Sequence, residues 1–290
     1  MKNILVTGVN SYIGNSFRAY MGGYSSQYAV EGISVRNNAW QSLDFSQYDV
    51  VFNVAGIAHA DTGHVSEETK QRYYSVNRDL TIALAQKAKV EGVKQFIFMS
   101  SAIVYGDSAP IGRQRIITKD TLPSPADFYG DSKLQAENGI FPLSDEKFKV
   151  VILRPPMIYG KGSKGNYPVL SKMAQKLPVF PDVDNQRSML YIGNLMEFVR
   201  LIIQNEESGF FFPQNAEYSN TSRLVQMIAA CHGKQVILLK GTTWTLKLLS
   251  NATGLVNKAF GSLAYDMSMS DYKEEYRKFS FAESIKLTEE

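Results

Sequence analysis

Short apolar segments alternate with helical patterns along the first half of the chain, and this alternation restricts the possible fold more than any other feature. Apolar runs that predict strands cover residues 3–7, 28–35, 49–56, 95–99 and 148–154. Helical patterns lie between them: one ends near residue 20, one covers about 69–91, and one follows a loop within 125–138. Strands that alternate with helices in this way predict an α/β fold with a doubly wound parallel sheet.

The residue pattern of the sequence changes after Pro155 and Pro156. The first proline cannot donate a hydrogen bond to a strand, and the second restricts the residue before it. From Gly160 onward, glycines, prolines and short segments predict a smaller region. We therefore predict two domains: a larger one formed by 1–155 and about 188–206, and a smaller α/β one formed by about 156–187 and 207–290.

A glycine turn, T-G-V-N-S-Y-I-G at 7–14, follows the first predicted strand. A strand that ends at Gly8 can turn sharply, and the next helix then directs its free N–H groups at a pyrophosphate. Gly14 lets that helix pack close to the sheet, although Ser11 stands where a glycine is common, so the turn alone also suits an ordinary strand–turn–helix. Within the alternating pattern it predicts a Rossmann-type dinucleotide-binding domain. The predicted cofactor contacts in this turn are Gly8, Ser11, Tyr12, Ile13 and Gly14.

A tyrosine and a lysine four residues apart, Tyr129 and Lys133, lie in the third helical pattern. This spacing puts both side chains on one helix face. A phenol has a pKa of about 10, and a nearby ammonium is expected to lower it. Tyr129 could then give a proton to a carbonyl oxygen as hydride reaches its carbon, or take one in reverse. Ser101, after the strand at 95–99, could hold the same oxygen.

Charge and cysteine content exclude several other classes. The net charge is +3 and the basic residues are scattered, so we expect no nucleic-acid partner. Cys231 is the single cysteine, which excludes an internal disulfide, and no Cys/His set has the spacing of a zinc site. We therefore predict no metal. The chain opens on a strand pattern rather than a signal peptide, so we expect a cytoplasmic protein.

The segment at 242–263 is apolar in places, but Lys247, Asn251, Asn257 and Lys258 interrupt it. It is therefore a poor membrane span. We expect a helix that lies over a substrate cleft or packs in the smaller domain, and no membrane contact.

Three further motifs accompany these features. They are S-S-A-I-V-Y-G at 100–106, L-R-P-P-M-I-Y-G at 153–160 and Q-R-S-M-L-Y-I-G-N-L at 186–195. Together with Tyr129 and Lys133 they resemble the extended short-chain dehydrogenase/reductases, the NAD-dependent epimerase/dehydratase family, in the branch that acts on nucleotide sugars. The resemblance covers most of the chain.

The resemblance implies a catalytic triad of Ser101, Tyr129 and Lys133, in which Lys133 also reaches the nicotinamide ribose. It implies that Asn77 lines the cofactor site. Members of the family often dimerise through helices like those that bear Asn77 and Tyr129, so a homodimer is an expectation that the sequence leaves open.

The same resemblance implies binding roles outside the triad. Asp44, followed by Phe45, matches the family's aspartate that contacts the adenine. Arg187 matches the arginine that pairs with the diphosphate of a UDP-sugar, a role suited to a guanidinium. Asn166 matches a substrate-binding asparagine before the following helix.

Departures from the family pattern narrow the expected reaction. Ala102 and Ile103 stand where the sugar 4,6-dehydratases carry an acidic pair, and neither can do acid–base work, so dehydration is not expected. Met157 stands where the epimerases often have a substrate-binding asparagine. The end of the second strand carries Ser34 and Arg36 and no acid. An acid there usually selects NAD, whereas Arg36 and Ser34 could receive a 2′-phosphate, which favours NADP(H) over NAD(H).

The sequence resembles most the 4-ketoreductases of bacterial capsule and O-antigen pathways. That resemblance implies reduction of a UDP-2-acetamido-2,6-dideoxy-4-hexulose to UDP-N-acetyl-fucosamine or UDP-N-acetyl-quinovosamine. A UDP-hexose 4-epimerase with tightly held NAD is the alternative, because both enzymes use the same triad. A non-catalytic nucleotide-sensing protein is a third interpretation, which the intact triad disfavours.

Overall fold

The structure is a computed structural model that describes residues 1–58, 65–242, 244, 246 and 259–290. Its strands are β1 (Lys2–Thr7), β2 (Tyr28–Ile33), β3 (Val50–Asn53), β4 (Gln95–Met99), β5 (Ile116–Ile117), β6 (Lys149–Leu153), β7 (Met157–Tyr159), β8 (Val179–Pro181), β9 (Met189–Tyr191), β10 (Gly209–Phe211), β11 (Ile237–Leu239) and β12 (Ala264–Tyr265). Its α-helices are α1 (Tyr12–Met21), α2 (Glu67–Tyr73), α3 (Leu80–Val90), α4 (Phe128–Ile140), α5 (Asn166–Lys176), α6 (Ile192–Gln204), α7 (Thr221–Cys231) and α8 (Phe281–Glu289). Short 3₁₀ turns cover Gly22–Tyr24, Asn38–Ser42, Ala102–Tyr105, Phe141–Leu143 and Met267–Ser270, and a π-helical turn covers Tyr74–Asp79.

The chain divides into two compact units. The first unit consists of Met1–Gly106, Pro123–Pro155 and Leu195–Phe212. The second consists of Asp107–Leu122, Pro156–Asn194 and Pro213–Glu290.

The first unit is built on a six-stranded sheet in the order β10-β6-β4-β3-β1-β2, and every pairing in it is parallel. The predicted doubly wound α/β fold is therefore confirmed. The chain reverses direction across the sheet between β1 and β3, because β2 lies on one side of β1 and the later strands lie on the other. In open sheets of this kind, ligands bind beyond the carboxyl ends of the strands at such a reversal.

The central strands form where the sequence carries uninterrupted apolar runs. All residues of β3 and β4 are buried, and β6 is buried after its first residue, as expected for strands covered by helices on both faces. The third strand ends earlier than predicted, at Asn53 rather than 56. The Asn53 side chain accepts a hydrogen bond from the N–H of Ala55 at 3.2 Å, and this side-chain contact accompanies the departure of the chain from the ladder.

The predicted helix over 69–91 is divided in the structure. A π-helical turn, Tyr74–Asp79, separates α2 from α3. Such turns insert an extra residue, change the face that following side chains present, and are frequent at functional sites. The spacing of apolar residues could not predict this turn, because the apolar positions within α3 still follow a regular helical spacing.

The second unit is assembled from small pieces. In its described residues the strands form two-stranded parallel pairs, β11 with β8, β12 with β5, and β7 with β9. Its core packs aromatic rings from β7 and α5 against α7 and α8, with Tyr159 and Tyr167 stacked at 5.2 Å. Helix α8 begins with a capping box, in which Ser280 and Glu283 bond each other's backbone N–H groups.

Strand β10 lies at the edge of the six-stranded sheet, and its residue Phe210 is 36% exposed. The predicted helix in 242–263 lies mostly outside the described residues. In the portions that are described, no helix is long and apolar enough to cross a membrane.

Candidate active site

The amino-terminal turn of α4 places Tyr129. Asp127 caps this helix by accepting a hydrogen bond from the N–H of Gly130 at 2.8 Å. Gly130 allows a close approach to the segment after β4, because a Cβ at this position would lie only 2.8 Å from the carbonyl oxygen of Ile103. The helix therefore begins directly against the turn that follows Ser101.

Tyr129 and Ser101 meet, as the sequence predicts. The Ser101 side chain lies close enough to the Tyr129 phenol to lower its pKa. Burial nevertheless raises the pKa of Tyr129 to about 12, and the effect of Ser101 offsets only part of that shift. The expected lowering of this pKa by Lys133 is not found, because burial outweighs the favourable contacts. Tyr129 is thus a protonated donor at neutral pH.

Lys133 lies one helical turn after Tyr129 and is 5% exposed. Its ammonium donates a hydrogen bond to the carbonyl oxygen of Met99 at 2.9 Å and lies 4.6 Å from the centre of the Phe98 ring. Burial lowers the pKa of Lys133 to about 8, and Glu137 opposes that shift. The lysine therefore anchors to the end of β4 and carries a charge that the interior tolerates poorly.

A buried ion pair that the sequence analysis missed lies one turn further along α4. Glu137 is 1% exposed and is held by the guanidinium of Arg154, whose Nη2 lies 2.5 Å from Oε2. Ser100 donates a hydrogen bond to the same carboxylate, and Arg154 donates to the hydroxyl of Tyr105 at 2.7 Å. The network ties α4 to the ends of β4 and β6. In the sequence, the position of Glu137 four residues after Lys133 could have indicated that this carboxylate belongs to the site.

Asn77 lies in the π-helical turn and is fully buried. Its Oδ1 accepts a hydrogen bond from the N–H of Ile57 at 2.8 Å, and its Nδ2 donates to Ile57 O at 3.1 Å and to Ser132 Oγ at 3.0 Å. A Cβ built on Gly56 would lie 3.1 Å from Asn77 Oδ1 and 3.2 Å from Lys133 Nζ. Asn77 therefore connects the segment after β3 with α4, close to Lys133.

The glycine turn after β1 lies at the point where the sheet order reverses. Gly8 has a φ of +85°, and a Cβ there would lie 2.8 Å from the backbone nitrogen of Ala55. Ser11 caps α1 by accepting a hydrogen bond from the N–H of Gly14 at 3.0 Å. Tyr12 and Ile13 form the first turn of α1, where the positive end of the helix dipole favours an anion. These residues fit the pyrophosphate of a dinucleotide.

The remaining predicted cofactor contacts follow β2. Arg36 and Ser34 are exposed beyond the carboxyl end of this strand. Asp44 is exposed as well, and hydrogen bonds from Ser46 lower the pKa of its carboxyl group. Phe45 instead lies fully buried in the core, and its N–H donates to Glu91 at 2.6 Å. The ring of Phe45 is thus packed in the core, and its N–H is bonded to a side chain of the protein.

The second unit contains a small pocket that brings two of the predicted substrate residues, Arg187 and Asn166, together with Met157 and Ser219. Arg187 donates a hydrogen bond to the carbonyl oxygen of Gly261 at 3.0 Å. Burial lowers the pKa of its guanidinium. Among the described residues no carboxylate pairs with this cation, in contrast to Arg154. An unpaired, desolvated cation is a strong attractor for an anion.

Together, a parallel sheet with a glycine turn at its reversal and a Ser–Tyr–Lys set beside it are features of dinucleotide-dependent enzymes of the short-chain type. The model of the family described as "NAD dependent epimerase/dehydratase family" matches residues 4–211. The chain belongs to this family.

Characterised relatives include enzymes of two reaction types. The chain is 30% identical to a UDP-glucose 4-epimerase of Vibrio cholerae, with 92% of this chain and 88% of that protein covered. It is 23% identical to a GDP-6-deoxy-D-mannose reductase of Pseudomonas aeruginosa, with 79% of each covered. Among solved structures, a UDP-glucuronic acid 4-epimerase of Bacillus cereus in complex with NAD has a TM-score of 0.72 at 19% identity, covering 98% of this chain and 96% of that one.

Proposed function

We propose that the protein reduces the C4 ketone of a UDP-2-acetamido-2,6-dideoxy-4-hexulose with NAD(P)H, giving UDP-N-acetyl-fucosamine or UDP-N-acetyl-quinovosamine for surface polysaccharide synthesis. The observation that supports a carbonyl reduction is the Tyr129 phenol, which is protonated at neutral pH and lies beside the Ser101 side chain. A reductase needs a proton donor at the carbonyl oxygen, and this pair supplies one.

Each side chain has a defined task in this proposal. The bound nicotinamide cofactor supplies the hydride. Tyr129 gives its proton to the C4 oxygen, and Ser101 orients that oxygen with its hydroxyl. Lys133, held by Met99 O, stabilises the phenolate that remains. Arg187 binds the diphosphate, because its guanidinium has no carboxylate partner among the described side chains and a phosphate can accept two of its hydrogen bonds.

NADPH is the proposed reductant. Arg36 and Ser34 are exposed beyond β2, where NAD-dependent enzymes usually place an acid. The one acid of this strand, Glu31, accepts a hydrogen bond from the hydroxyl of Tyr48 at 2.5 Å. Arg36 is therefore the group best suited to receive a 2′-phosphate.

Replacement of this arginine tests the cofactor preference. Arg36→Ala should weaken NADPH binding by about tenfold, because a charge-assisted hydrogen bond to the 2′-phosphate is lost, and should leave NADH binding nearly unchanged. Fluorescence titration of both nucleotides gives the two constants. Arg18→Ala, which removes an arginine from α1, is the control. Equal weakening of both nucleotides in the Arg36 variant, or a wild-type preference for NADH, would contradict the assignment.

A UDP-hexose 4-epimerase is the second candidate, favoured by the long match to the Vibrio cholerae enzyme. The two activities differ in what happens to the cofactor. A reductase releases oxidised cofactor in each cycle, whereas an epimerase recycles it in place. Met157, beside Arg187 in the pocket of the second unit, offers no hydrogen bond to a sugar that must rotate and be reduced from its other face.

The two activities can be separated with purified protein. We expect protein largely free of bound nucleotide, oxidation of one NADPH per UDP-4-keto-6-deoxy-N-acetylhexosamine, and negligible interconversion of UDP-glucose and UDP-galactose without added cofactor. Absorbance at the NADPH band follows the first reaction, and NMR reads the configuration of the product. Protein that is isolated with bound NAD and equilibrates the two UDP-hexoses unaided would establish the epimerase instead.

A further inference from the structure

Ser219 lies directly opposite Arg187 in the second unit. The two residues form an antiparallel bridge in which each N–H donates to the other's carbonyl oxygen at 2.9 Å. Residues directly opposite in such a hydrogen-bonded pair project their side chains on the same side of the ladder. Accordingly, both side chains line the same pocket. The backbone therefore holds a hydroxyl beside the guanidinium.

The Ser219 hydroxyl is buried and has no hydrogen-bond partner in the described part of the protein. The residue is 1% exposed. Its neighbours differ: Thr221 donates to Ala259 O at 2.9 Å, and Ser222 donates to Pro181 O at 2.8 Å. A buried hydroxyl without a partner is destabilising, so such a group in a native fold needs an explanation.

The charge of the pocket indicates what would satisfy this hydroxyl. Arg187 brings a desolvated positive charge to which no described carboxylate is paired. A ligand that neutralises it carries a negative charge and acceptor oxygens. A serine hydroxyl can donate to such an oxygen, and hydrogen bonds to charged groups are stronger than those between neutral ones.

We propose that Ser219 is a substrate-binding residue whose hydroxyl donates to the same phosphoryl group that Arg187 binds. The inference rests on the proposed function, in so far as that function supplies a nucleotide diphosphate as the anion. It adds a second, neutral donor to the phosphoryl site, fixed to the first by two backbone hydrogen bonds. The ligand then supplies the acceptor that the buried Ser219 hydroxyl lacks among the described residues.

Two variants with opposite expected behaviour test the proposal. Ser219→Ala removes a hydroxyl that has no partner among the described residues, so UDP should bind about tenfold more weakly while the melting temperature stays the same or rises. Ser222→Ala removes a hydroxyl that accepts from Val183 N–H at 2.9 Å and donates to Pro181 O. It should lower the melting temperature and leave UDP affinity unchanged. Calorimetric titration with UDP and thermal unfolding give both quantities.

The possible outcomes distinguish this inference from the proposed function. UDP binding that is lost in Arg187→Ala but retained within twofold in Ser219→Ala would overturn the role of Ser219 alone. A wild-type protein that does not bind UDP would overturn the proposed function and this inference together. If the alanine variant is too unstable to titrate, Ser219→Cys keeps the side-chain size with a weak donor, and unchanged UDP affinity in that variant would also refute the proposal.

Discussion

Replacing Tyr129 by phenylalanine is expected to lower turnover by about 10²–10⁴-fold, the contribution of a single general acid. The change removes the hydroxyl that lies beside Ser101 and keeps the ring, whose centre is 6.0 Å from that of Tyr73. Fold and cofactor binding should therefore persist. Initial rates with the 4-keto sugar, circular dichroism and nucleotide titration measure the three properties.

Tyr74→Phe is the matched control for this variant. The Tyr74 hydroxyl donates a hydrogen bond to Asp131 at 2.7 Å, and burial raises the pKa of Tyr74 to about 12 as it does for Tyr129. Because this hydroxyl bonds Asp131 and has no assigned role in the reaction, its loss should change turnover only slightly. Near-normal activity of Tyr129→Phe, or equal losses in the two variants, would remove Tyr129 from its assigned role.

The grouping of the proposed triad could be predicted because local geometry is enough to assemble most of it. Tyr129 and Lys133 share one helix face by their spacing alone, and Ser101 follows a strand whose five residues are all apolar or buried. The parallel topology then brings the end of β4 and the start of α4 together. For the same reason, the glycine turn at Gly8 could be placed at the end of the first strand.

Other properties of the site depend on partners distant in sequence. Arg154 neutralises Glu137 across two elements, and no periodicity links those positions. The π-helical turn at Asn77 arises with hydrogen bonds to Ile57 and Ser132, which belong to different segments. The direction of the Tyr129 pKa shift was predicted incorrectly, because a sequence shows the nearby lysine and does not show how much water the fold excludes.

The buried Lys133 ammonium destabilises the folded state, although the same charge is expected to promote the reaction. The folded state lowers the pKa of this lysine from 10.5 to about 8. Below pH 8 the lysine is charged in both states, and the folded state bears the full cost of a buried ammonium. Between pH 8 and 10.5 the unfolded state binds more protons, so the free energy of unfolding rises with pH in this window.

Lys133→Met should separate the two effects. At pH 7 the variant is expected to be more stable than the wild type by at most about 3 kcal/mol, reduced by the lost hydrogen bond to Met99 O, which contributes about 1 kcal/mol. This advantage should vanish as pH rises from 8 to 10.5, because the wild-type lysine becomes neutral. Turnover should fall by about 10²-fold or more, since the remaining phenolate loses its stabilising charge. Denaturant unfolding across this pH range and steady-state rates measure both quantities.

The same titration predicts the pH profile of the wild-type enzyme. Because the charged form of Lys133 stabilises the phenolate, turnover should decline as pH rises through about 8, where this lysine loses its proton. Lys172→Met, which changes a lysine of α5 in the second unit, is the control and should keep both the wild-type profile and the wild-type pH dependence of unfolding. A Lys133→Met variant whose stability difference from the wild type stays constant between pH 7 and 10.5 would show that the ammonium is not buried at a cost. The lowered pKa of Lys133 would then not account for the pH dependence of stability or of turnover.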